Sequence, residues 1–298
     1  MDRDTFIIHV YCLVVELYTE VTQSQRLRHG GFEPELTDPE VITMEICGEY
    51  LKHDTDKDLF AYFSTHYRHF FPQLTDRSLF VRQAANLWQL KALIQQRLVV
   101  RSGQAQDPVQ PLDTLPLPVC VYTRAPRDRC VRPDADYGHC AAKQLDYYGF
   151  KLGLRISRCG MITHYPLLAA RPHDINHLET LVEGFCGLVP ADKGFIDACR
   201  HQHLEHRHGI RVITPTRARM KPPRHAPALM VAAKRWRKLI ETVGSHLTER
   251  FAIARIRVHD LWHYQHRLIR KVLAHTIGVF LNLQLRRRPL DLDGLLSA

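Results

Sequence analysis

Three acidic residues stand where a charge is either costly or useful. Asp113 is the only charged residue between Val109 and Thr123, inside the apolar strand-like run Leu112-Asp113-Thr-Leu-Pro-Leu-Pro-Val-Cys120. A carboxylate in such a run is expensive unless it is paired or holds a metal. Asp192 follows Val189-Pro190-Ala191 at the C-terminal end of a predicted parallel strand, where open α/β sheets collect their ligands. Glu241 is the only acid between Glu205 and Glu249 and follows Trp236-Arg237-Lys238-Leu239-Ile240 on a predicted long helix. Carboxylates converging from two strands and a helix are hard oxygen ligands suited to Mg²⁺, with Mn²⁺ as a substitute. Two such ions about 4 Å apart activate the attacking oxygen and stabilise the leaving one in an in-line phosphoryl transfer. The chain has 31 acidic residues, so the elements that carry these three must justify the choice.

Those elements fall into two parts. Residues 1–105 read as an all-helical module. Phe6, Ile7, Val10, Leu13, Val14 and Leu17 recur at helical spacing, and Thr37-Asp38-Pro39-Glu40 is a capping box opening a second apolar run. Leu74 to Trp88 has the length of a helix-turn-helix, although the same periodicity serves plain core packing. Around Arg101 to Pro111 both periodicity and hydrophobicity lapse, which places a boundary there. From residue 106 onward the pattern becomes three strands (Leu112–Tyr122, Tyr147–Ile156, Met161–Ala169), a helix over 177–186, a strand ending at Asp192, a helix over 195–208, a strand over 211–215, then helices over about 228–251 and 261–285. This order is that of an RNase H-like α/β fold: a mixed sheet with flanking helices.

Charge narrows the partner. The formal net charge is +10, divided as −4 over residues 1–100, +1 over 101–200 and +13 over 201–298. A basic final third suits a polyanion such as DNA, bound through counterion release. The segment 217–224 and the helix residues Lys234, Arg235, Arg237 and Lys238 surround Glu241 with cations, and Lys193 and Lys151 are further candidates for phosphate contact. Trp236 either stacks on a base or packs, and Arg286-Arg287-Arg288 is either a phosphate contact or a charged helix end. The apolar stretch Phe6–Leu17 is interrupted by His9 and Glu16, so no membrane span is expected. The N-terminus lacks the features of a secretory signal, which points to the cytoplasm. Eight cysteines without a CxxC pair read as reduced thiols.

Rival residues have plainer readings. Asp174 reads as a helix cap and Asp197 as a solvated position inside a helix. Cys199, His201, His203, His206 and His208 could suit zinc, but no partner pair with ligand spacing occurs elsewhere, and a histidine-rich exposed helix explains them.

Four segments in order, Asp-Thr-Leu-Pro-Leu-Pro-Val-Cys at 113–120, Tyr-Tyr-Gly-Phe-Lys-Leu at 147–152, Ala-Asp-Lys-Gly-Phe at 191–195 and Arg-Lys-Leu-Ile-Glu-Thr-Val at 237–243, resemble the catalytic motifs of bacterial DDE transposases. The similarity is greatest to the insertion-sequence 982 family and extends over residues 113–275. It implies an RNase H-like catalytic domain over 106–298 in which Asp113, Asp192 and Glu241 bind two Mg²⁺ ions. Arg237 resembles an arginine that related transposases carry in this helix. Gly153 and Thr248 stand where many relatives have histidine and lysine. The resemblance further implies metal-dependent cleavage at the terminal inverted repeats of an element and strand transfer into target DNA. It also implies DNA-end recognition by the N-terminal helices, a homodimer or higher assembly on DNA, and a bacterial, nucleoid-associated location. Two alternatives stand beside it: an RNase H-like nuclease without strand transfer, and an inactive or repurposed DNA-binding descendant. Metal-dependent nicking separates the last from the others, and joined products separate transposase from nuclease.

Overall fold

The computed structural model describes residues 1–24, 34–132, 134–140, 144–216 and 225–296. The basic segment 217–224 lies outside the described residues. The chain divides into two compact units, Met1–Ser102 with Leu247–Ala298, and Gly103–His246.

The first unit is helical. Its leading helices are α1 (Arg3–Ser24), α2 (Asp38–Tyr50), α3 (Asp56–His66), α4 (Arg77–Asn86) and α5 (Trp88–Arg101). The expected capping box is present: Thr37 accepts from the Glu40 backbone N–H, and Glu40 accepts from that of Thr37. At α3 and α4 the Thr55 and Asp76 side chains accept from the Asp58 and Leu79 N–H groups, which lack intrahelical partners. Leu74, Phe80, Ala84 and Leu87 of the candidate helix-turn-helix lie in the core. Helix α1 over Arg3–Gln23 is, by length and composition alone, apolar enough to cross a membrane despite His9 and Glu16, a test that a buried core helix also passes. Its Phe6, Val10, Val14 and Leu17 face is buried within the unit.

The second unit is mixed α/β. Strand β1 (Leu112–Val121) is followed by β2 (Asp136–Cys140), β3 (Leu145–Ile156), β4 (Ile162–His164) and β5 (Leu167–Ala169). After the short α6 (Leu178–Leu181) come β6 (Gly187–Pro190), α7 (Ala198–His208), β7 (Ile210–Ile213) and α8 (Pro227–Ser245). Strand β3 is the hub, antiparallel to β1, β2, β4 and β5, and is almost wholly buried. Strands β6 and β7 pair in parallel. The residues entering β1 join the two sheets: Leu188 donates to the Pro108 carbonyl and accepts from the Gln110 N–H, a parallel bridge at Val109. Strand β2 was not expected, and the expected strand over 161–169 divides into β4 and β5. Under the sheet, Leu112, Leu178, Leu181, Val189, Phe195, Leu204 and Val212 form one apolar cluster.

Glycine 149, central to the Tyr-Tyr-Gly-Phe segment, has a backbone reason. The β1–β3 register shifts between Pro118 and Cys120, and a Cβ at 149 would lie 2.2 Å from the Leu117 carbonyl oxygen. Only glycine admits that approach.

The final helix, α9 (Leu261–Gln284), packs on α2, α4 and α5. Residues 247–298, expected with the catalytic domain, therefore fold with the N-terminal helices, and the division falls at 102/103 and 246/247 instead of at 105/106. Helix α8 ends earlier than expected, giving way at His246–Arg250 to a wider π-type turn.

Candidate active site

Each of the three acids arrives on the element the sequence assigns to it. Asp113 is the second residue of β1, held opposite Leu154 of β3. Its Oδ1 accepts from the Thr114 N–H at 2.8 Å. Asp192 follows β6 in extended conformation, where the Ala191 N–H donates to the Ile213 carbonyl and extends the pairing with β7. Glu241 sits on α8, whose Ala233, Ile240 and Val243 are buried and whose shaft packs against β1, β3 and β6. That inward face carries Arg237 as well, one turn before the glutamate.

Arg237 ties the group together. Its Nη2 lies 2.9 Å from Asp192 Oδ1 and 3.7 Å from Glu241 Oε1, with the arginine side chain only 26% exposed. An i, i+4 pair on a helix is ordinary, but a third partner from a strand end is a tertiary choice. Asp113 responds to the same surroundings. Burial pushes its carboxyl up to about 7; the Thr114 N–H opposes this, while the negative charges of Asp192 and Asp174 add to it. Asp192 and Glu241 are about half exposed, so the site opens to solvent on the side away from Asp113.

Asp174 is a neighbour of the three acids that local sequence reasoning misses. It does not cap a helix: the short turn Asp174–His177 has His173 at its N-cap position and no side-chain cap. Its Oδ1 instead accepts from Lys151 Nζ at 2.9 Å, and its Oδ2 would lie 3.5 Å from a Cβ placed on Gly194, two residues beyond Asp192. Lys151, expected to meet phosphate, is 8% exposed and also donates to the Pro172 carbonyl at 2.8 Å. Its place is structural, fastening the turn that bears Asp174. The charged tips of Lys151 and Asp174 meet across 23 residues, and no short motif signals this.

The remaining cations are disposed outward. Lys234, Arg235 and Lys238 are exposed on α8, and Lys193 is exposed in the turn after Asp192. Asp197, expected inside a helix, is the N-cap of α7, accepting from the N–H groups of Cys199 and Arg200. His201 bonds the Phe195 carbonyl at 2.7 Å.

At Gly153, where the resemblance suggests histidine, any side chain would have to displace the Leu181 and Pro166 side chains. A Cβ there would lie 2.3 Å from Leu181 Cδ2 and 3.0 Å from Pro166 Cγ. The glycine is therefore matched to its own packing.

The donor set suits a hard divalent cation, since it is all carboxylate oxygen and positive charge would offset both the burial that raises Asp113 and the repulsion that adds to it. Among the described residues, however, no three such side chains converge as a ready coordination cluster. Positive charge between Asp192 and Glu241 is supplied by Arg237.

Residues 103–261 match a family model described as Transposase DDE domain. This match covers more than half of the 298 residues, and the chain belongs to the transposase DDE domain family. No curated protein and no solved structure matches the chain.

Proposed function

We propose that the chain is a DNA transposase of the insertion-sequence 982 type, with an RNase H-like catalytic unit and with Asp113, Asp192 and Glu241 as its catalytic acids. The observation that carries this reading is the linkage of the three: Arg237 reaches both Asp192 and Glu241, and Asp113 feels the charge of Asp192. The strand arrangement supports it, since antiparallel β3 and β1 lead through the Val109–Leu188 bridge to parallel β6 and β7.

In this reading the three carboxylates would hold Mg²⁺, or Mn²⁺ in its place, which would polarise the scissile phosphate and acidify the attacking water. Arg237 is within reach of a phosphate lying over Asp192 and Glu241 and binds its charge as that of the reaction builds. Lys234, Arg235, Lys238 and Lys193 hold the flanking backbone. Hydrolysis at the element end frees a 3′ hydroxyl, which attacks target DNA at the same site, and no covalent protein intermediate is needed. The helical unit recognises the ends, and joining two ends calls for a dimer or larger assembly.

The test mixes wild-type and Asp192→Asn protein with labelled DNA carrying the sequences that flank the gene, Mg²⁺ or Mn²⁺, and a plasmid target. Joined product from the wild type alone is expected. Nicking without joining would move the reading to a nuclease, and binding without nicking to a DNA-binding descendant.

A further inference from the structure

The segment following β1 presents a surface that the acids and α8 do not use. Tyr122 and Tyr137 are 50% and 37% exposed, with ring centroids 4.6 Å apart. Tyr137 meets the buried Tyr148 edge-on at 5.2 Å, so the outer pair is held on a fixed ring of β3. The loop beneath is rooted by buried Ala125, Val131 and Ala135. Asp128 and Asp136 turn their carboxylates to backbone N–H groups, of Cys130 and Val131 for the first and Tyr137 for the second. Arg124, Arg127, Arg129 and Arg132 all point to solvent, and among the described residues none pairs with a carboxylate. The exposed Asp134 is the acid that remains beside them.

Arginines without internal partners around a fixed tyrosine pair match the chemistry of opened DNA: guanidinium groups for phosphates and ring faces for unstacked bases. The spacing is also apt. Strand β1 runs eight residue steps from Asp113 to Val121, about 26 Å at roughly 3.3 Å per residue, or about eight base steps at roughly 3.4 Å each.

We propose that this surface binds the DNA flanking the cleaved phosphodiester, with the four arginines on phosphates and Tyr122 and Tyr137 stacking on a base exposed at an unpaired position. The proposal rests on the transposase reading and adds the place and manner of a second DNA contact.

The experiment measures binding of the full chain, without divalent metal, to duplex oligonucleotides carrying the gene's flanking sequence and to the same duplex with a short single-stranded gap. For wild type, log Kobs is plotted against log salt. The Arg124→Gln/Arg127→Gln/Arg129→Gln/Arg132→Gln variant is expected to flatten the slope by about 3 to 4, near one unit per lost phosphate contact. Its thermal midpoint should not change, because none of the four guanidiniums has an internal acid to lose. Tyr122→Ala/Tyr137→Ala is expected to weaken gapped DNA on the order of tenfold more than intact duplex. An unchanged slope in the arginine variant, with the wild type binding, overturns this proposal alone; equal weakening on both DNAs overturns its stacking part. A wild type that binds neither DNA overturns the transposase reading and this proposal together.

Discussion

The protein gathers opposite charges in two places and treats them differently. In the helical unit, Glu45, Glu49, Lys91, Arg270 and Lys271 are at most 3% exposed. Lys91 bonds Glu45 at 2.7 Å, Arg270 reaches Glu49 at 2.5 Å and Asp56 at 2.8 Å, and Lys271 bonds Glu49 at 2.8 Å. In the α/β unit, Arg237 holds Asp192 and Glu241 while both acids remain about half exposed. Sealed charges have no solvent to fall back on, so each depends on its partner and the network fixes how α9 meets α2 and α5. Open charges can exchange partners, which a site for phosphate and cation requires. On the proposed reading the same residue types serve architecture in one unit and chemistry in the other, and burial decides which.

The sharpest way to break this contrast is to remove a sealed partner. Burial works against the Arg270 cation, but Glu49, Asp56 and Glu45 outweigh it and raise its pKa. Arg270→Met leaves those acids undercompensated and should cost about 3–5 kcal/mol, a fall in melting temperature on the order of 10 °C. A fall of only a degree or two would show that the network is not structural. Next in size is Gly149→Ala, where a methyl meets the Leu117 carbonyl and the Val119 nitrogen at 2.2 and 2.8 Å. Denaturant titration should register a loss of about 2–3 kcal/mol.

A smaller effect is expected at the border between the two kinds of charge. Lys151→Met strands the partly exposed Asp174 and should cost about 1–2 kcal/mol. Adding Asp174→Asn should recover most of that stability. If Asp174 also shapes the site, the double variant will stay below wild type in affinity for Mn²⁺, measured by calorimetry.

The smallest shift is one of pH. Asp113 titrates near 7 in the folded chain and near 3.8 when unfolded, so the native state prefers it protonated. The stability this contributes is complete below about pH 4 and is lost as pH rises toward 7. Asp113→Asn should therefore melt a few degrees above wild type at pH 8 and level with it near pH 4. Equal melting at both would show that the carboxylate is not strained by its surroundings.

What could be read in the sequence was what local spacing determines. The capping box at Thr37, the apolar setting of Asp113, the strand before Asp192 and the four-residue step from Arg237 to Glu241 are all short-range patterns. What escaped depends on long-range contact. Strand β2, Asp-Tyr-Gly-His-Cys, lacks an apolar run and exists because β3 templates it. Lys151 looks like a surface cation until the fold brings Asp174 to it. Helix α9 follows the catalytic segment in sequence, yet its buried His266, Arg270 and Lys271 select partners more than 170 residues earlier. Asp197 was misplaced by a few residues at a helix start, where only backbone geometry distinguishes a cap from an interior position.

We propose that Asp113, Asp192 and Glu241 form one site kept for chemistry and not for stability. It is tested most directly by assaying metal-dependent nicking of end DNA and thermal melting in the same preparations of Asp113→Asn, Asp192→Asn and Glu241→Gln. Each variant is expected to lose nicking while melting at or above the wild-type temperature. A variant that nicks like wild type, or that loses nicking only because it no longer folds, would contradict it.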